Sequence, residues 1–392
     1  MTNSGQGLKR RAFLKTGLTG AAGLIAGSSV LQGQEGRAPS KKDRKTITRT
    51  LGKTGIKLPV ISMGVMNSDN PDLVRAALDS GIVHLDTAHG YMRGRNEEMI
   101  GRVLKGRPRD SFVIATKVPA SDPGAFLEMF DLSLKRLSLD YVEILYLHNI
   151  TTRRDALSAT MLKALEAVKK SGKARFIGMS VHTNEPEVIR AAVESKTYDV
   201  VLTSYNFQQG HSREVRRAIA EAAAAGLGIV AMKTLAGAFW DKEKQQPINA
   251  KAALKWVLSD PNVCTAIPGM TTFDQLESNL SVMESLALTS QEKKDLRLGN
   301  GESVGLYCQG CGQCLAGCPK ELPIPSLMRS YMYAYGYKNL QAAHELVTSL
   351  DLPETLCGDC GVCSALCAKG FDVSDRVRDI ARLRTVPSDF FA

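Results

Sequence analysis

Short β-rich apolar runs alternate with amphipathic stretches from residue 61 onward. The apolar runs fall at 61–66, 83–88, 112–118, 141–148, 175–181, 200–205, 228–235 and 264–270. Amphipathic stretches with helical spacing lie between them, at 72–79, 126–137, 162–170, 187–193 and 214–224. The strand candidates are apolar nearly throughout rather than alternating, as in a parallel sheet buried on both faces. Eight such units without a ninth predict an α/β fold of the closed (β/α)8 TIM barrel type rather than an open doubly wound sheet. No G-x-G-x-x-G follows the first run, where Gly64 stands alone, so a Rossmann nucleotide site is disfavoured. A further hairpin, 46–51 and 57–60 around Lys53-Thr54-Gly55, is expected to plug the barrel bottom.

Composition narrows the class. The chain has 392 residues, 44% hydrophobic and 23% charged, with 34 Gly and 15 Pro, which excludes collagen, coiled coil and wholesale disorder. Its length suits a large barrel with an appendage, or two to three domains. Of the net charge of +10, Lys9, Arg10, Arg11 and Lys15 supply four before the first acid, Glu35, leaving a scattered +6. An excess that small argues against a nucleic-acid face, and no nucleic-acid partner is expected.

The segment Arg10-Arg11-Ala12-Phe13-Leu14-Lys15 precedes a weakly apolar, glycine-rich run at 16–31. That run is too short for an ordinary spanning helix, which needs about 20 apolar residues. A cationic start, a short apolar stretch and a polar exit make a secretory signal. The paired arginines before Phe-Leu-Lys resemble the twin-arginine signal, which implies export of an already folded protein to the periplasm or beyond. Ala26-Gly27-Ser28 is a poor cleavage site, so an uncleaved membrane tether stays open. The expected organisation is signal and linker at 1–40, barrel at 41–299 and a cysteine-rich domain at 300–392, with the basic stretch at 41–45 still reading as linker.

Polar residues at the carboxyl ends of barrel strands face the active site. The second run ends in Asp86, with Tyr91 five residues on, the third in Lys117 and the fourth in His148. Each alone fits capping or packing, but four at the same ends of three consecutive strands point to chemistry. Here the chain resembles the aldo-keto reductase family, over about residues 46–290. The carriers are Leu85-Asp86-Thr87-Ala88-His89-Gly90-Tyr91 with Asn96-Glu97, then Ala115-Thr116-Lys117, Tyr146-Leu147-His148 and Ile177-Gly178-Met179-Ser180. The resemblance implies that Tyr91 is the general acid, that Lys117 paired with Asp86 lowers the phenol pKa, and that His148 orients the carbonyl. Hydride transfer to a carbonyl leaves an alkoxide that a proton must meet near neutral pH.

The resemblance also implies a nicotinamide cofactor. Ser180 stands at the carboxamide position, Met232 where an aromatic often stacks, and Ile267-Pro268-Gly269-Met270 with Gln275 and Asn279 at the nucleotide end. Val181 replaces the usual Asn, Leu202 the usual Gln, Gln275 a common Arg and Gly269 a Lys. The charge-assisted clamp on a 2′-phosphate is therefore missing, and NADP(H) and NAD(H) both remain open. His182 and Asn184 read as loop residues. Phe239 and Trp240 are candidate pocket walls.

Eight of nine cysteines form two runs of C-x-x-C-x-x-C-x-x-x-C: Cys308, Cys311, Cys314, Cys318 and Cys357, Cys360, Cys363, Cys367. Zinc sites rarely carry four cysteines at this spacing, and i, i+3 pairs twice over disfavour disulfides. The runs resemble the bacterial two-cluster ferredoxin, in which three cysteines of a run hold one [4Fe-4S] cluster and the fourth holds its twin. That implies Cys308, Cys311, Cys314 and Cys367 on one cluster and Cys357, Cys360, Cys363 and Cys318 on the other. The second run has Ala368 where Pro is usual, and the long interval between the runs has room for helices near 326–335 and 340–350. Cys264 reads as buried core.

The expectation is an exported oxidoreductase converting small carbonyls and alcohols, with a redox partner protein for the clusters. Two alternatives stand beside it: an electron-transfer module indifferent to Tyr91, and a nucleotide-binding sensor without turnover. Hydride moves two electrons and each cluster accepts one, and no flavin motif is visible to split the pair.

Overall fold

The structure is a computed structural model, and it describes residues 46–120, 122–241, 243–298, 305–357, 360 and 362–391. The expected export signal and the expected boundary at 299/300 lie outside the described residues. Among these residues no helix is long and apolar enough to cross a membrane.

An antiparallel pair, β1 (Thr48–Thr50) and β2 (Lys57–Pro59), joined by a 3-10 turn at Gly52–Thr54, forms the expected hairpin. Eight parallel strands follow: β3 (Met63–Gly64), β4 (His84–Asp86), β5 (Val113–Pro119), β6 (Val142–Ile150), β7 (Ala174–Val181), β8 (Val200–Ser204), β9 (Gly228–Met232) and β10 (Thr265–Ala266). They pair strictly in chain order from β3 to β10. Parallel bridges Ile61↔Ala266 and Gly64↔Gly269 bring the last strand back to the first, so the sheet closes as a barrel. A Cβ on Gly64 would stand 2.7 Å from the Ile267 carbonyl oxygen, so closure at this seam requires a glycine.

Ten helices accompany the strands: α1 (Pro71–Asp79), α2 (Arg95–Leu104), α3 (Pro123–Leu137), α4 (Arg153–Ala156), α5 (Ala159–Lys170), α6 (Glu185–Ser195), α7 (Ser212–Ala224), α8 (Ala250–Leu258), α9 (Phe273–Leu280) and α10 (Ser290–Asp295). Side-chain parity follows the strand period of two. Ile114, Leu145, Leu147, Ile177, Val201 and Ile229 face the helices in one large core. Ala115, Ile144, Tyr146, Val200, Leu202 and Val230 fill the barrel interior, with Leu51 and Leu58 of the hairpin entering from below. The interior is therefore packed, and only its upper end is free for a site.

Five expected runs are shorter as strands, and the last two show why. The run at 228–235 leaves the sheet after Met232 because Lys233 and Ala236 take left-handed backbone, φ 55° each. The run at 264–270 keeps only Thr265–Ala266 as strand, since Pro268 has no N–H to continue the ladder.

The described residues fall within one compact unit. Beyond the barrel lie α11 (Ile324–Tyr335), α12 (Leu340–Thr348) and α13 (Val373–Ala381). The first two match the helices expected between the cysteine runs, and α13 was not expected. No strand occurs among the described residues of 305–391.

Candidate active site and cysteine centres

The inward parity that fills the barrel also brings Asp86, Lys117, His148, Ser180 and Met232 to its upper end. Tyr91 arrives differently, on a 3-10 turn at Tyr91–Gly94. The loop is pinned on its far side. Thr87 donates to Asn96 Oδ1 at 2.7 Å, Asn96 Nδ2 donates to the Val65 carbonyl at 2.9 Å, and Thr116 donates to Glu97 Oε1 at 2.6 Å. Met92 and Arg93 sit in left-handed backbone at φ 51° and 55°, a cost that these buried bonds hold in place.

Lys117 Nζ, buried, donates to Asp86 Oδ1 at 2.5 Å, to the Thr87 carbonyl at 2.6 Å and to Tyr91 Oη at 3.4 Å. An ammonium has three protons, and all three are thereby committed. Lys117 occupies an acceptor position on the phenol oxygen and leaves the phenol's own O–H to point elsewhere. Burial pushes the Asp86 carboxyl up and the Lys117 ammonium down, and each is pulled back by the other.

The expected lowering of the Tyr91 phenol is not what the cleft produces. Burial drives its pKa well above 10, and Asp86, Tyr333 and Tyr337 add to the rise. Desolvation is the largest cause, and the negative charge of Asp86 acts in the same direction. The His148 ring stands edge-on to Tyr91 at 6.2 Å and the same distance from His182. Burial first, then Lys117, Arg329 and Lys233, holds the His148 pKa down at about 3, so it is a neutral imidazole.

A cleft of about 640 Å³ opens above this floor, running from Asp86, Tyr91 and Lys117 past Met232 to Thr271 and Gln275. Ser180 is fully buried beneath it, its Oγ accepting from the Asn149 N–H at 2.8 Å. Asn279 is buried on α9, and Leu202 lies in the barrel interior. Gln275 Oε1 accepts from the Thr271 N–H at 2.8 Å, which ties down the entry to α9. Phe239 lines the cleft, whereas Trp240 packs edge-on against Phe207 with Arg297 over its ring. Cys264 is buried, and its thiol donates to the Thr50 carbonyl at 3.2 Å.

The thiols gather in two interleaved sets. Cys308 and Cys314 each feel Cys311 and Cys367, while Cys357 feels Cys318, Cys360 and Cys363. The Gly310 N–H donates to Cys308 Sγ at 3.3 Å and the Lys369 N–H to Cys367 Sγ at 3.4 Å.

Residues 62–252 match the profile of the aldo/keto reductase family, and residues 307–371 match that of the 4Fe-4S dicluster domain. The chain carries an aldo/keto reductase domain fused to a 4Fe-4S dicluster domain. The L-galactose dehydrogenase of Arabidopsis thaliana is 26% identical over 298 residues, covering 63% of this chain and 91% of its own. The L-glyceraldehyde 3-phosphate reductase of Escherichia coli K12 is 26% identical over 330 residues, covering 65% and 93%. Among solved structures, the holo form of an aldo-keto reductase from Bacillus halodurans superposes with a TM-score of 0.54 at 26% identity, covering 64% of this chain and 95% of its own.

Aldo-keto reductases use NAD(P)H, and the reductase domain's cleft fits such a group: it is long, within the usual range of ligand pockets, and carries Met232 on its wall. Lys244 is a basic side chain on the same wall. The dicluster domain fits its clusters in donor chemistry, since soft thiolates with backbone N–H donors suit iron–sulfur sites. Among the described residues no three His, Cys, Asp or Glu side chains converge as a single ion requires. A four-iron cube instead takes each thiolate on a different iron, so its ligands stand apart.

Three features of the cleft escaped sequence reasoning. His182, read as a loop residue, lines the cleft, as does Lys233. The outer wall comes from the dicluster domain: Tyr307, Tyr331, Tyr333, Tyr335 and Tyr337. The signal was visible as four tyrosines at every second position from 331 to 337, a spacing that does not follow one helix face.

Proposed function

We propose that the chain is an exported oxidoreductase that interconverts small carbonyls and alcohols with NAD(P)(H), fused to an electron-transfer module of two [4Fe-4S] clusters served by a redox partner protein. The observation that carries the catalytic half is the Asp86–Lys117–Tyr91 arrangement at the floor of the cleft. The bound nicotinamide supplies or accepts the hydride. Tyr91, kept protonated by burial, gives its proton to the developing alkoxide. The phenolate left behind is met by the Lys117 N–H already on its oxygen, and Asp86 holds that ammonium in place. His148, neutral, is the further hydrogen-bonding group at this end and is assigned to orienting the carbonyl. Met232, Gln275, Ser180 and Asn279 are assigned to the nucleotide side, Ser180 and Asn279 from beneath the surface.

The two relatives' names, a galactose dehydrogenase and a glyceraldehyde-phosphate reductase, favour a small polyhydroxylated substrate. The tyrosine wall supports this, because the hydroxyls of Tyr307, Tyr331, Tyr333 and Tyr337 make no hydrogen bond to another described residue and are free to bind a ligand's hydroxyls.

Tyr91→Phe should lower carbonyl reduction by about 10²–10⁴-fold with the fold intact. In the parent enzyme reduction should be flat through the neutral range, and alcohol oxidation should rise with pH because Tyr91 must first lose a proton held well above 10. Turnover retained in Tyr91→Phe removes the assignment. Mass spectrometry of nucleotide released from anaerobically purified protein distinguishes NADP(H) from NAD(H).

A further inference from the structure

The two thiol sets have different neighbours. Cys318, Cys357, Cys360 and Cys363 line a surface cavity of about 200 Å³ with Lys320 and Arg378 and without any barrel residue. Cys360 and Cys363 are exposed, as is Cys311 of the other set, so it is the lining and not exposure that separates the two. The other set lies against the barrel mouth. Cys308 shares a small cavity of about 20 Å³ with His182, Lys233 and Arg329. At Gly310, φ 74°, a Cβ would stand 3.0 Å from the His182 carbonyl oxygen and 3.1 Å from Thr183 Cγ2, so the cysteine loop and the end of β7 touch backbone to backbone. One set is inner and the other outer.

His182 and Lys233 line both that small cavity and the catalytic cleft. Lys233 Nζ makes no hydrogen bond or ion pair among the described residues, and lies 5.6 Å from the centre of the Tyr333 ring. Arg329 is 5% exposed, and its Nη1 is buried without a partner. Glu185, the nearby carboxylate, is already committed to His211 at 2.9 Å and Gln209 at 3.2 Å. A buried cation such as Arg329 needs a counter-charge, and the half-buried Lys233 beside it favours one. On one side of Lys233 stand the thiolates at Cys308; on the other, whatever enters the cleft.

We propose that Lys233 is a counter-charge shared between the catalytic cleft and the inner cluster, so that an anionic ligand in the cleft and an electron on that cluster compete for the same ammonium. The inference rests on the reading that the Cys308 set holds a cluster. The ligand class is a small molecule bearing a phosphate or a carboxylate close to Lys233. One-electron reduction by an external donor adds one negative charge to the inner cluster and none to the outer one's surroundings. A ligand anion that draws on Lys233 therefore makes that reduction harder, and reduction in turn loosens the anion, by the same factor. Arg329 and His182 line the small cavity beside Lys233 and are part of the polar surroundings of both charges.

The test is a potentiometric titration of the full-length, anaerobically purified protein with dithionite, followed by electron paramagnetic resonance after iron analysis. Probes are inorganic pyrophosphate for a nucleotide-type anion, lactate for a substrate carboxylate, and 1,2-propanediol as the uncharged control. The expected result is that one couple drops with either or both anions by about 59 mV, a tenfold change for one electron, while the other couple and the diol titration stay put. Which anion acts identifies the source. Lys233→Met should lower the same couple without ligand and abolish its response, and Lys233→Arg should restore the response. A shift that persists in Lys233→Met, or two intact couples that ignore both anions, overturns the inference alone. Absence of two cluster signals takes down the cluster reading and the inference with it.

Discussion

In the barrel, Leu145, Leu147, Ile177, Val201 and Ile229 are wholly removed from water on the helix side, and Ile144, Val200 and Val230 on the other. Around the second cysteine run the reverse holds: Val362 is 90% exposed and Leu366 79% exposed. The apolar core of residues 305–391 is small and comes mainly from α11–α13, with Cys314 inside it and Cys308, Cys318, Cys357 and Cys367 packed at its edge. Burial of apolar surface accounts for the first region. The second places its metal-ligating chemistry where a core would otherwise be, so its order should depend on what its thiols hold. The cleft lies where the two regions meet, with a floor from the burial-driven region and an outer wall from the ligation-driven one.

The largest effect should come from stripping iron from the full-length protein. Residues 305–391 should lose most of their hydrogen-exchange protection while β5–β8 keep theirs; protection retained in both regions would erase the distinction. Next comes the barrel seam. Gly64→Ala puts a methyl group 2.7 Å from the Ile267 carbonyl oxygen and should destabilise the barrel by about 1–3 kcal/mol in urea unfolding, with the cluster signals unchanged.

A smaller, graded effect should follow pH. His84 is fully buried without partners for either ring nitrogen, and burial holds its pKa at about 3, as for His148. Both are neutral in the folded barrel, and the unfolded chain protonates them below about 6.5. Their stabilising contribution is therefore complete above 6.5 and is lost as pH falls toward 3. The slope is about 1.4 kcal/mol per pH unit for each histidine. Exchange in the barrel strands between pH 7 and 5 measures this separately from iron loss, and His84→Leu should lower the slope by one histidine's share, about 1.4 kcal/mol per pH unit. An unchanged slope in that variant removes His84 from the account. The smallest effect concerns the shared wall: Tyr333→Ala should raise KM less than about tenfold, with kcat and the clusters retained, since one aromatic contact contributes about 1 kcal/mol.

The residues of the floor were legible because they obey local rules. Asp86, Lys117, His148 and Ser180 share one parity at strand ends, and a period of two can be read from a single segment. The cysteine runs carry their chemistry in their spacing. What was not legible depended on distant segments meeting. His182 is a loop residue, as expected, but its place in the cleft lining was not legible because the Gly310 backbone that packs on it lies far along the chain. Lys233 read as part of a strand because its left-handed turn is a tertiary outcome. The direction of the Tyr91 shift was not legible because it depends on burial in the assembled cleft, and because Tyr333 and Tyr337, which add to it, belong to the other domain.

The order of the barrel strands, the parity of the floor residues and the two cysteine runs were thus legible in the sequence alone, because each follows from periodicity or spacing within a short stretch. The closing of the barrel at Gly64, the tyrosine outer wall, the division into inner and outer thiol sets and the protonation of Tyr91 were decided only by tertiary structure. Each is a matter of which surfaces exclude water from one another, and desolvation is a property of assembled neighbours that no single segment carries.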